Sequence, residues 1–291
     1  MMFLKTDIIH FHMPVIQNVV IWAILYHLGL LRYKKMFITY HGSIVGYEKY
    51  MKPFWGLYKY FYKKADKIHV LSPNVIESDS ILTPHKNKCE IIPYGIDTNI
   101  ELYEDEVQKI KEQYPNKKII LCCGRLVKLK GFQYVIEAMK DVENAVLLIM
   151  GDGPLRNSFV TYIEKNDLKN KVILLGAISD KKQKEIYYLA CDIFVLSSIK
   201  ESFGIVQLEA MKYGKPIINT NLGTGVNFVS INNKTGLTVE PCNVEELAQV
   251  INILLTDEEL RNKLGQNARK RVEELFDIEK IKDKYIRMYE D

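Results

Sequence analysis

Short apolar runs recur along the whole chain, each closed by Gly, Pro or a polar turn. They fall at 7–12, 36–41, 67–72, 90–94, 118–124, 145–151, 171–176, 192–197, 216–220 and 236–239. Most are continuous rather than alternating and are rich in Ile, Val, Leu and Phe. That is the pattern of parallel strands covered on both faces. The segments between them carry helical spacing, so the chain reads as repeated βαβ units in doubly wound sheets, an α/β protein. One break interrupts the alternation. "IIPYGIDTN" ends a strand with turn residues, and a highly charged helical stretch follows before a new apolar strand at 118. This predicts two domains, 1–100 and 101–275, with 276–291 as a terminal helix packing back on the first. The second has six strands in full βα alternation; the first has four and opens without a leading βα unit, so it is expected to be incomplete. From Pro241 onward the chain reads as helical, with Thr256 as the cap of "TDEELRNKLGQNARKRVEELF".

Composition narrows the function classes. Of 291 residues, 47% are hydrophobic, which excludes a disordered or fibrous chain. The net charge of +4 is too small to argue for nucleic acid. Five cysteines without a CxxC spacing read as unpaired thiols in a reducing compartment, hence a cytoplasmic protein. The apolar run 19–31 is too short to span a bilayer and reads as a core helix. The stretch 49–67 is rich in lysine and carries Phe54, Trp55, Tyr58, Phe61 and Tyr62. Such a basic amphipathic helix suits an anionic membrane surface; the alternative is a helix packed on the sheet with solvated lysines.

Three segments could carry chemistry. "CGRLVKLKG" follows a strand and leads into a helix, placing Arg125, Lys128 and Lys130 where open α/β sheets bind anions. "MGDGP" supplies Gly151 and Gly153 for a tight turn or a close backbone approach. In "KESFGIVQLEAM", Glu201 stands at a strand's carboxyl end and Glu209 lies about two turns into the next helix. Glu209 has Ile205, Val206 and Tyr213 one turn away, an apolar row in which a carboxylate is costly without a partner. A long ligand along the helix would explain both glutamates: a sugar nucleotide, its diphosphate at the helix amides and its hydroxyls on the two carboxylates. An ordinary amphipathic helix with exposed glutamates is the alternative.

"GRLVKLKG", "SSIKESFGIVQLEAMKYGKPIINTN" and "GLTVEP", in this order, resemble the donor domain of retaining glycosyltransferases of family 4. The E-x7-E pattern is that family's signature, and "NLGTGVNFVSINNKTGLTVEP" looks most like members that build bacterial O-antigen and exopolysaccharide. The resemblance implies the GT-B fold, two Rossmann-like domains, here with the N-terminal one shortened. It implies transfer of a hexose, with retention and without metal, from a GDP- or UDP-linked donor to a saccharide or lipid-linked acceptor at the inner face of the membrane. The nucleotide sugar is a co-substrate, and no cofactor is expected. Arg125 and Lys130 would hold the diphosphate; amides at Phe203, Gly204 and Ile205 would bind phosphate and sugar. Glu201 would accept from the sugar, Glu209 from the ribose, and the backbone at Ile178 would sit by the base. His41 matches a histidine near the reacting centre, whereas His10, His12 and His69 fall in strands, where a packed, hydrogen-bonded role is the default. No D-x-D motif occurs. Two other readings stand beside this one. One is a non-catalytic donor-binding fragment, or a subunit completed by a separate N-terminal chain; the other is a GT-B enzyme of another kind, such as a sugar-nucleotide epimerase.

Overall fold

The computed structural model describes residues 4–42 and 52–290, and the chain divides after Pro93 into two compact units. In the first, a parallel sheet runs in the order β2 (Ile8–Met13), β4 (Lys35–Tyr40), β5 (Lys67–Val70), β6 (Cys89–Ile91). A separate short pairing joins β1 (Leu4–Lys5) to β3 (Leu31–Arg32). Parallel neighbours need crossovers, which α1 (Ile16–His27), α2 (Trp55–Lys64) and α3 (Pro73–Ser78) supply.

Helix α2 shows why its aromatics are where they are. Tyr58, Phe61 and Tyr62 share one helical face by their spacing and are at most 1% exposed. They pack with Trp22 of α1 and with Met36, Ile38 and Ile68 of the sheet. Burying each such ring is worth about 1.5–3 kcal/mol. The stripe that the sequence offered to lipid therefore belongs largely to the core. Phe54 stays exposed, Lys59 and Lys63 face solvent, and Lys64 lies 5.5 Å from the ring centroids of Tyr26 and Tyr60. Residues 49–51 of that stretch lie outside the described residues.

The second unit holds a six-stranded parallel sheet in the order β12-β11-β10-β7-β8-β9. Its strands are β7 (Lys118–Cys123), β8 (Ala145–Met150), β9 (Val172–Gly176), β10 (Ile193–Leu196), β11 (Ile217–Thr220) and β12 (Gly236–Val239). Numbered within the unit this is the Rossmann order 3-2-1-4-5-6, whose winding reverses between β7 and β10. β8 is buried along its whole length, as its unbroken apolar sequence requires. Helices α4 (Glu104–Glu112), α5 (Phe132–Ala138), α6 (Arg156–Lys165), α7 (Lys181–Ala190), α8 (Ile205–Lys212) and α9 (Gly225–Val229) fill the crossovers and flanks. The chain ends in α10 (Val244–Thr256), α11 (Glu258–Leu275) and α12 (Ile278–Glu290).

Thr256 does not cap α11. It is the last residue of α10, with its hydroxyl turned back to the Asn252 carbonyl at 2.8 Å. Asp257 is the cap, its carboxylate accepting from the Leu260 amide at 2.8 Å. The carboxylate outcompetes the hydroxyl because it is charged and faces the positive end of the helix. The residues before α4 belong to this unit: the Ile96 amide donates to the Phe276 carbonyl at 2.8 Å, and the Ile278 amide to that of Ile96 at 3.0 Å. All five cysteines are unpaired; Cys122 and Cys191 are buried, Cys89 and Cys123 half-buried, and Cys242 is exposed.

Candidate functional site

The reversal of winding places the loop after β7 beside the loop after β10. Three bonds stitch them together. The Ile199 and Lys200 amides donate to the Leu129 carbonyl at 2.8 and 3.3 Å, and the Ser197 hydroxyl to the Lys130 carbonyl at 3.3 Å. Gly131 makes this approach possible. Its φ is +68°, and a Cβ there would lie 1.9 Å from the Ser197 carbonyl oxygen. Lys130 is thereby carried to the carboxyl end of β10, where its ammonium pairs with the Glu201 carboxylate. An ammonium has three N–H donors, so this pairing leaves capacity for an anion. Arg125, on the same loop, is exposed and forms no ion pair among the described residues.

Glu201 is held from behind. Its backbone carbonyl accepts from the Thr224 hydroxyl at 2.8 Å, at the start of α9. Phe203 and Gly204 are buried, and Gly204 takes φ +72° as it leads into α8. Gln207, fully buried in an otherwise apolar helix face, donates to the Phe203 carbonyl at 3.3 Å and accepts from Asn219 at 3.0 Å. The amides of Phe203, Gly204 and Ile205 thus sit on a fixed loop at a helix start, where backbone N–H groups favour anions.

Glu209 resolves the puzzle of its apolar row. Its carboxylate accepts from the Tyr188 hydroxyl at 2.6 Å, across from α7. Burial pushes the Tyr188 phenol well above its ordinary range, so it stays a donor. Glu209 also lines a cavity of about 150 Å³ with Tyr213, Lys184, Lys212 and Asp97. Glu201 and Lys130 are not part of that cavity. Ile178 is half-buried in the loop between the edge strand β9 and α7, the helix that carries Tyr188.

His41 belongs to the first unit, just beyond β4, and is one of four histidines gathered there. Its Nε2 is 3.0 Å from Nδ1 of His12, and the two rings stack with centroids 5.3 Å apart. His12 stacks in turn on His10 at 4.8 Å. His10 Nε2 lies 2.8 Å from the Thr39 hydroxyl, which is 3.0 Å from Nδ1 of buried His69. His69 Nε2 meets the Ile92 carbonyl. Desolvation is the main cause that lowers the pKa values of His10 and His69, each to about 4, and it also lowers that of His41.

Acidification should therefore destabilise the fold. His10 and His69 have folded pKa values below their unfolded ones, so the unfolded chain binds more protons between about pH 4 and 6.5. Their contribution is present above that window and is lost as pH falls through it. For buried His69 alone the loss between pH 7 and 5 is about 2 kcal/mol, and half-exposed His10 adds less. Urea unfolding at pH 7, 6 and 5 checks this. His69→Gln should flatten the slope; equal slopes in both proteins would contradict it.

Residues 104–271, more than half of the chain, match the model of the family "Glycosyl transferases group 1". The chain belongs to this family. The group 1 transferase is 26% identical to the O-antigen chain mannosyltransferase C of Escherichia coli, over 97% of this chain and 75% of that protein. It is 27% identical to the D-rhamnosyltransferase WbpZ of Pseudomonas aeruginosa, over 94% of this chain and 70% of that protein. Among solved structures, Anabaena HepE in complex with UDP superposes with a TM-score of 0.82 at 21% identity, covering 98% of this chain and 78% of that one. Sucrose-phosphate synthase from Thermosynechococcus elongatus gives 0.80 at 24% identity, covering 98% and 73%. The fold of the group 1 transferase is accordingly GT-B, with two parallel α/β units. Among its described residues, no helix is long and apolar enough to cross a membrane.

Proposed function

We propose that the group 1 transferase moves a hexose from a GDP- or UDP-linked donor to a saccharide acceptor carried on a lipid, with retention and without metal. The product would be part of a surface polysaccharide. The observation that carries this reading is the meeting of Lys130 and Glu201 at the switch point, with Arg125 on the same loop and Glu209 farther along α8. It is supported by the relatives' roles, which include O-antigen mannosyl transfer and capsular polysaccharide synthesis. Anabaena HepE, of like fold, has been solved with UDP-glucose.

In this reading Arg125 and Lys130 neutralise the diphosphate as it leaves, together with the amides of residues 203–205. Fixed cations and dipoles act without reorganisation in the transition state. Glu201 accepts from sugar hydroxyls beside Lys130, and Glu209 from the ribose, with Tyr188 orienting its carboxylate. The base lies near the backbone of Ile178, and His41 takes part in the transfer step. Unpaired cysteines suit a reducing compartment, so we place the reaction on the cytoplasmic side of the membrane.

Calorimetry with UDP, GDP and ADP, with and without EDTA, tests the donor side. One of the three should bind equally well in both conditions; folded protein that binds none would sink the reading. Glu209→Ala should weaken nucleoside diphosphate and sugar donor alike, by roughly 10-fold or more. Glu201→Ala should weaken only the intact donor. The reverse pattern would mean that the ligand runs the other way along α8.

A further inference from the structure

The polar chain across the first sheet has a readable direction. A carbonyl oxygen only accepts, so the contact between His69 and Ile92 puts the proton of His69 on Nε2. In the neutral ring Nδ1 is then bare and accepts the Thr39 hydroxyl proton across 3.0 Å. With its proton so used, the Thr39 oxygen accepts from His10, whose Nε2, 2.8 Å away, must carry hydrogen. Along these contacts the chain runs one way: His10 to Thr39 to His69 to Ile92. The residues are spread over β2, β4, β5 and the end of the first unit, so the chain spans that sheet.

This chain fixes the ring of His10, and His10 is the base of a stack. His12 lies on it with planes 25° apart, and His41 lies on His12 with planes 16° apart. His12 and His41 are also joined by the 3.0 Å ring contact. We propose that Thr39 and His69 are positioning residues for His41, acting through the oriented ring of His10 and the stacked His12. The catalytic relevance rests on the proposed part of His41 in transfer; the coupling itself does not.

Nitrogen-15 spectra of histidine-labelled protein test the coupling without any substrate. At pH 7, His10 and His69 should both show the neutral Nε2–H tautomer. Thr39→Val keeps the shape and removes the hydroxyl. The ring nitrogens of His41 should then move, and its titration midpoint should shift by about half a unit or more. Thr39→Ser should restore the parent values, which a purely steric role of Thr39 would not predict. An Nδ1–H tautomer at His69 overturns the proposal, as do unchanged His41 resonances in folded Thr39→Val. Should Thr39→Val fail to fold, the parent tautomers and Thr39→Ser still decide. Release of UDP or GDP from a hexose donor adds the functional arm: Thr39→Val should lower kcat about tenfold with KM for the donor unchanged. If His41→Ala leaves release unaltered while the spectra behave as stated, the role of His41 falls and the coupling stands.

Discussion

Replacing Gly131 by Ala should cost the second unit about 3 kcal/mol or more and lower its melting temperature by roughly 6–12 °C. Two penalties add. At φ +68° an L side chain pays for the left-handed conformation, about 1–2 kcal/mol. The new Cβ would also lie 1.9 Å from the Ser197 carbonyl oxygen. That oxygen is backbone at the end of β10, which is hydrogen-bonded to β7 and β11, so it has little room to retreat. Gly223 is the control. It has a similar φ of +64° but nothing within 4 Å of its added Cβ, so Gly223→Ala should cost only the conformational part. Thermal unfolding of both variants is the measurement. Equal losses would mean that the two loops part without strain. Where Gly131→Ala remains folded, its displaced Lys130 should weaken nucleoside diphosphate binding as well.

Lys130→Ala should be the most damaging single change to transfer. On the proposed function it removes a cation from the diphosphate, and it leaves Glu201, 18% exposed, without its ion pair. The local charge of the pair then turns from balanced to negative where we propose that the diphosphate binds. Loss of such a stabilising group costs about 100- to 1000-fold in kcat. Affinity for the nucleoside diphosphate should fall by roughly 10- to 150-fold, the worth of one charged hydrogen bond. Adding Glu201→Gln to Lys130→Ala should recover part of that affinity, because the uncompensated carboxylate is gone, while transfer stays low. Calorimetry and donor consumption, run on the single and double variants, separate the two effects. Affinity in Lys130→Ala equal to the parent would remove this lysine from the diphosphate site.

Much of the architecture was legible because parallel strands announce themselves. Runs such as "AVLLIM" are apolar without alternation, and β8 is buried on both faces for that reason. The pairs Leu4–Lys5 and Leu31–Arg32 escaped because two residues carry no period. The aromatics of α2 were ambiguous for a different reason. The spacing that makes a stripe for lipid is the same one that makes a face for the core, and only the neighbouring sheet decides. The residue types of the candidate site stood out in the sequence, but their pairings did not. Lys130 and Glu201 are 71 positions apart, and Tyr188 and Glu209 are 21 apart, so their contacts depend on strand order. Gln207 did leave a trace, as an amide in the middle of an apolar helix row. Thr39 left none: a threonine in a strand looks like ordinary β-propensity until two histidines are found on either side of it.

The distribution of thiols has a practical consequence. A thiolate, not a thiol, attacks an alkylating reagent. Burial pushes Cys89 up to about 11 and Cys191 up to about 12, and it raises Cys122 and Cys123 as well. Cys242 is the exposed one, two residues before α10 in the second unit. The native chain thus arrives with a single chemical address. One maleimide dye per molecule could be attached there without first removing any other cysteine, and Cys242→Ser would be its blank.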